Sequence, residues 1–231
     1  MVKGWIRTSL IDFPGEIAST LFFGGCNLRC PMCHNPALVL EPASIPDISV
    51  ESIYTHLQER KGKITGVVLS GGEPCISPGL LHLLERFHQM GLRIKLDTNG
   101  YFPNVLKEVL KTGWVHYLAM DIKAPLEKYP LLCGMQSMNT DRIQTSIDLI
   151  RRYGGLYEFR TTVVPNLLAN MDIAEIAICL SGAKKYVLQQ FRPQGCLDPD
   201  CNNMTSYPAE TLMEMQASAK EHIDEVLVRG I

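Results

Sequence analysis

Three cysteines, Cys26, Cys30 and Cys33, stand close together in the stretch GGCNLRCPMCHNP (24–36), with the spacing C-x3-C-x2-C. Thiolates are soft ligands for iron or zinc, and a closed site for either ordinarily takes four protein ligands. No obvious fourth is present. Three unrelated core thiols is the bland reading, but free cysteines are usually scattered rather than gathered in one loop bounded by glycine and proline. Zinc with His34 as fourth ligand is a sharper rival; His34 directly follows Cys33, which makes shared tetrahedral coordination awkward. On three thiolates a four-iron cluster leaves one iron without a protein ligand, free to bind a substrate or cofactor.

Five further segments carry polar groups in patterns that could serve such a site. They are SGGEP (70–74), DTNG (97–100) with MDIK (120–123), FRTTVVP (159–165) and QQFRP (189–193). Each has an ordinary reading. Gly-Gly after a strand is a tight turn, Asp-Thr-Asn-Gly is a turn, Asp121 with Lys123 is a surface charge pair, and Arg160 and Arg192 are cations satisfying carbonyls at the rim of a sheet.

The elements that must position these groups are legible in the same pattern. β-rich runs at 17–25, 64–72, 92–100, 115–123, 157–165 and 185–193 alternate with helical spacing at 50–60, 78–90, 103–111, 140–153 and 171–181. A longer helix over about 208–228 is expected to close the chain. Six strand-helix units in one order predict an α/β fold with a parallel sheet. Such sheets, open or rolled, gather functional groups at the carboxyl ends of their strands. Every polar motif named above falls at such an end.

Composition narrows the partners. The chain has 231 residues, 20% charged, with a formal net charge of −2. That suits one α/β domain over 1–231 and gives no basic excess calling for nucleic acid. The N-terminus carries no signal-peptide pattern, and no apolar run reaches the length of a membrane span, so a cytoplasmic chain without membrane contact is expected. Eight cysteines there are core residues or metal ligands rather than a disulfide framework.

With the motifs in place, the sequence resembles the radical S-adenosylmethionine enzymes, whose signature is C-x3-C-x-(apolar)-C. The resemblance implies a partial (β/α)6 barrel. It also implies a [4Fe-4S] cluster on Cys26, Cys30 and Cys33, its open iron chelated by the methionine portion of S-adenosyl-L-methionine (SAM), and reductive cleavage to a 5′-deoxyadenosyl radical. Met32 would lie against adenine. Gly71, Gly72 and Glu73 match the GGE segment that receives the cofactor's ammonium. DTNG and MDIK resemble the branch of glycyl-radical activases typified by the pyruvate formate-lyase activating enzyme. There the matching positions imply a monovalent-cation site with Asp97 and Asp121 as carboxylate ligands and the backbones of Thr98 and Met120 nearby. Lys123 and Arg160 would touch the cofactor, and Val164 would lie by the adenine. Arg192 takes the place where that branch carries a histidine.

The opening IRTSLIDFPGEIASTLFFGGCNLRCPMCHNP and the motif order are most similar to activating proteins of anaerobic ribonucleoside-triphosphate reductase. No cysteine lies between Cys33 and Cys75, so the ferredoxin-like insert of some activases is absent. The implied partners are a glycyl radical enzyme and a one-electron donor such as flavodoxin or ferredoxin. Cys75, Cys133 and Cys179 read as core or near-site thiols. Cys196 and Cys201 read as incidental loop residues, ligands of a further metal or a redox pair. A radical SAM enzyme acting on a small molecule or peptide, and a non-catalytic iron-sulfur or zinc protein, stand as alternatives.

Overall fold

The computed structural model describes residues 1–135 and 137–231. Its sheet has eight strands in chain order: β1 Val2–Ser9, β2 Ala18–Phe23, β3 Gly66–Gly71, β4 Arg93–Thr98, β5 Tyr117–Asp121, β6 Leu156–Val163, β7 Lys185–Gln190 and β8 Glu225–Arg229. β1 pairs antiparallel with β2, and every later neighbour pair is parallel. The helices are α1 Pro36–Leu40, α2 Val50–Glu59, α3 Leu80–Gln89, α4 Pro103–Lys111, α5 Tyr129–Leu132, α6 Asp141–Arg151, α7 Asn170–Cys179 and α8 Ala209–Ala219. None of them is long and apolar enough to cross a membrane.

The α/β class with parallel strands is as expected, and the sheet extends beyond the six strands the sequence displayed. β1 and β8 are additions at its two edges. The helix expected over about 208–228 ends at Ala219, and Glu225–Arg229 forms β8 instead. The apolar spacing Leu212, Met215, Ala219, Ile223 runs on helically, but Val226 and Val228 are β-branched and sit beside the open edge of β7. Sheet pairing wins there.

Strands laid down in chain order put all right-handed crossovers on one face of the sheet. That face carries the main core. α3 shows how: Leu80, Leu83, Leu84 and Phe87, one apolar stripe at helical spacing, are its buried residues. Ser49 caps α2 by accepting the Ser52 N–H, and Pro103 begins α4 where a missing N–H costs nothing.

The other face is a small interior. At the strands' amino ends a separate cluster of Phe13, Ala18, Val68, Tyr117 and Ala119 fills it. The Asp12-Phe13-Pro14-Gly15 turn closes that end: Lys95 Nζ donates to the Asp12 carbonyl at 2.6 Å, and Thr20 Oγ1 to Asp12 Oδ2 at 2.6 Å. Toward the carboxyl ends the interior becomes polar and opens into a cavity.

Candidate active site

That cavity is lined by the cysteine loop on one side and by strand ends on the other, among them Cys26, Cys30, Met32, Cys33, Gly71, Gly72, Glu73, Asp97, Asn99, Asp121, Lys123 and Arg160. Two backbone bonds seat the loop. Gly72 N donates to the Phe23 carbonyl at 2.8 Å and Glu73 N to the Gly25 carbonyl at 2.9 Å, so the turn after β3 continues the pairing of β2 with β3. Glycine is required for this contact. A Cβ on Gly72 would lie 1.9 Å from the Gly25 oxygen, and Gly71, at φ +108°, would place one 2.4 Å from Phe23 N. The close approach that the Gly-Gly pair permits is thus to the cysteine loop itself.

Glu73 is fully buried, and its carboxylate accepts from Cys75 N at 2.9 Å, Thr98 Oγ1 at 2.8 Å and Asn99 N at 2.6 Å. Burial pushes its pKa above the ordinary glutamate value, while those donors oppose the shift. Glu73 therefore fastens the ends of β3 and β4 together, with at most part of one oxygen left to face the cavity.

Behind this turn lies an ion network. Arg160 Nε donates to Asp121 Oδ1 at 2.8 Å, and its Nη1 lies 3.5 Å from Asp97 Oδ2. Lys95 Nζ lies 3.0 Å from Asp97 Oδ1, Lys123 Nζ lies 3.1 Å from Asp121 Oδ2, and Ser70 Oγ donates to Asp97 Oδ2 at 3.0 Å. Burial alone would raise both carboxyl pKa values. Arg160 with Lys95 holds Asp97 below the ordinary range, and Arg160 with Lys123 does the same for Asp121.

At the positions expected to form a cation site, Asp97, Thr98, Met120 and Asp121, the two carboxylates stand among protein cations. Three protein cations already neutralise the two carboxylates, Thr98 is engaged with Glu73, and the fully buried Met120 packs beside Gly100. Lys95 was the missed residue. Its spacing of two from Asp97 puts both on the same face of β4, which was a readable signal.

Two other expectations do not come together with the cavity. Val164 is fully buried in the main core, and Arg192 is exposed at the rim, contributing its carbonyl, which accepts from His34 Nε2 at 2.8 Å. That bond and stacking on Phe191 occupy His34, and among the described residues no group of three or more His, Cys, Asp or Glu converges as one metal ion requires. The loop after β7 clasps the cysteine loop, with Leu197 N donating to the Cys33 carbonyl and Asp198 N to the Pro31 carbonyl, both at 2.9 Å. Cys196 and Cys201 are buried within this loop. All eight cysteines are free thiols.

The Radical SAM superfamily model matches residues 20–176. The chain belongs to the radical SAM superfamily. Its cofactors are accordingly a [4Fe-4S] cluster and SAM. This radical SAM chain is 31% identical, over all its length and 96% of the relative's, to a Methanocaldococcus jannaschii protein provisionally named a glycyl-radical enzyme activating enzyme. It is 30% identical to the pyruvate formate-lyase-activating enzyme of Clostridium pasteurianum, over 72% of this chain and 71% of that one. Among solved structures, SuiB of Streptococcus suis bound to S-adenosylmethionine superposes with a TM-score of 0.68 at 12% identity, covering 91% of this chain and 52% of SuiB.

The residues fit the cluster. The three thiols line one cavity and are free to act as ligands. N–H groups already face the sulfurs: Leu28 N to Cys26 Sγ and Asn35 N to Cys33 Sγ, each at 3.4 Å. Burial pushes the Cys26 thiol up to about 11, whereas the neighbouring Cys133 and the Lys123 charge hold Cys30 below the ordinary thiol value. Asn27 Nδ2 is buried beside the cluster loop with no protein partner. Such donors suit a group rich in sulfur.

Proposed function

We propose that this radical SAM chain is an activase that generates a glycyl radical on a partner enzyme, and that the partner is an anaerobic ribonucleoside-triphosphate reductase. The observation that carries the activase reading is similarity along the whole chain to a protein provisionally named a glycyl-radical enzyme activating enzyme. The motif order and the DFPG opening support the narrower choice of partner.

In this reading Cys26, Cys30 and Cys33 hold the cluster, and the Gly71–Glu73 turn receives the ammonium of SAM. Met32, nearly buried in the cavity wall, offers the adenine a polarisable surface. Lys123 uses one of its three donors on Asp121, leaving two for carboxylate or ribose oxygens. Arg160 is held rigid by Asp97 and Asp121 and positions that wall of the cavity. Cluster and SAM together supply one-electron cleavage of the sulfonium, the source of the hydrogen-abstracting radical. An external donor of the flavodoxin or ferredoxin class delivers the electron. The partner's glycine loop must reach the carboxyl ends of the strands, where the cavity opens.

The test has two stages under anaerobic conditions. Protein reconstituted with iron and sulfide, reduced with dithionite and given SAM should form 5′-deoxyadenosine, and the Cys30→Ala variant should not. Mixed with an anaerobic ribonucleoside-triphosphate reductase, it should then give the EPR doublet of a glycyl radical. Cleavage of SAM with no radical on that partner, but a radical on a pyruvate formate-lyase type protein, would sink the choice of partner. Radical transfer to neither would sink the activase reading.

A further inference from the structure

Asn99 follows the last residue of β4 and is 6% exposed. Its backbone N–H donates to Glu73 Oε2 at 2.6 Å, which fixes it to the turn that receives SAM. Its side-chain amide has one consistent orientation. Oδ1 accepts the Tyr101 N–H at 3.0 Å, so the NH2 end is the one that faces the cysteine loop. There Nδ2 donates to Asn27 Oδ1 at 2.9 Å and to Cys26 Sγ at 3.7 Å. An NH2 group has two hydrogens, and these are its two acceptors. Cys26 also receives Leu28 N, so among the described residues it is the cluster thiol with two N–H donors, one of them from a side chain.

We propose that Asn99 is a positioning residue that tunes the cluster: its amide N–H on Cys26 raises the reduction potential and couples that ligand to the SAM-binding turn. The physics is electrostatic. One electron enters the cluster from an external reductant, no proton moves, and part of the added charge resides on the cysteine sulfurs. A fixed N–H dipole aimed at one of them stabilises the reduced form more than the oxidised one. In a buried site the dipole is poorly screened, which strengthens the effect. The residue is anchored at three other points, to Glu73, Asn27 and Tyr101, so the dipole keeps its direction when charge arrives. The inference rests on the three cysteines holding the cluster and is independent of which protein is activated.

The competing role is purely structural, an Asn that closes the turn through Tyr101 N–H. Potentiometry separates the two, because a midpoint does not depend on how many molecules carry a cluster. Reconstituted wild type and the Asn99→Ala and Asn99→Ser variants are poised with mediators and the reduced cluster is quantified by EPR, beside iron and sulfide content. The expected result for Asn99→Ala is a reduced-to-oxidised ratio about tenfold lower at the wild-type midpoint. That equals a shift of about 59 mV to more negative potential for a one-electron couple. Asn99→Ser, whose shorter hydroxyl falls short of Cys26, should shift the same way. Lowered iron content with an unmoved midpoint would overturn the proposal. Should neither variant load a cluster, wild-type protein carrying side-chain 15N-asparagine decides. Its reduced cluster must show a coupled 15N that persists in Asn27→Ala and Asn35→Ala, and no such coupling would overturn the proposal.

Discussion

Replacing Gly72 by alanine tests whether the turn after β3 seats the cysteine loop. The new Cβ would lie 1.9 Å from the Gly25 carbonyl oxygen, and Cβ contacts under 3.0 Å essentially do not occur. The two backbones must therefore part by at least about 1.1 Å, the difference between those distances. Both partners are backbone, so no side-chain rotation can relieve the clash. The bonds from Gly72 N to Phe23 and from Glu73 N to Gly25 would break. Each such bond contributes about 1 kcal/mol net, or about 2 kcal/mol where the buried group stays unpaired, so for the two bonds a loss of about 2 to 4 kcal/mol is expected. For a chain of this size that lowers Tm by roughly 5 to 15 °C. Circular dichroism of the metal-free protein measures it, and iron content after reconstitution reports whether the loop can still hold a cluster. Gly154→Ala is the control, because a Cβ there meets nothing within 4 Å. A Gly72→Ala protein with unchanged Tm and full iron content would refute the reasoning.

Two further outcomes follow from the interior charges. Arg160→Met leaves Asp97 only Lys95 and Asp121 only Lys123. Removing one member of a buried ion pair costs about 3 to 5 kcal/mol, and the two surviving pairs bring the expected loss to about 2 kcal/mol, read from the urea midpoint; a variant as stable as wild type would mean the network is not formed. The second concerns pH. Asp97, Asp121 and Glu158 have lowered folded-state pKa values, the last despite burial because Arg229 and Tyr117 donate to it. Their contribution is fully present above the ordinary carboxylate pKa of about 4 and is lost as pH falls through the folded values. Glu73, with its raised pKa, works in the opposite sense, gaining stability on protonation. Urea midpoints of the metal-free protein should fall below about pH 4, more steeply in Glu73→Gln, which lacks the opposing group. A midpoint that rises on acidification in both proteins would contradict the assigned pairs.

The sequence by itself determined the parallel α/β plan and the radical SAM signature, for a common physical reason. Strand-helix alternation is written in local periodicity, and the cysteine spacing is a local constraint that one loop must satisfy. β2 to β7 emerged within a few residues of where the β-rich runs placed them. β1 and β8 did not: an edge strand owes its existence to the neighbour it pairs with, and Val226–Val228 became a strand because β7 offered it an open edge. The site divides in the same way. Cys26, Cys30, Cys33, Met32 and Gly71–Glu73 were readable because their motif is contiguous. What each polar group faces was decided by tertiary packing. Asp97 and Asp121 face Lys95, Lys123 and Arg160 because β4, β5 and β6 lie side by side. Glu73 is legible in its motif, but that its oxygens are satisfied by Thr98 and Asn99 was decided by the packing of β3 against β4. Asn99 is itself the clearest case, since a residue of an ordinary turn reaches Cys26, 73 residues away in the chain, through the packing of strand ends alone.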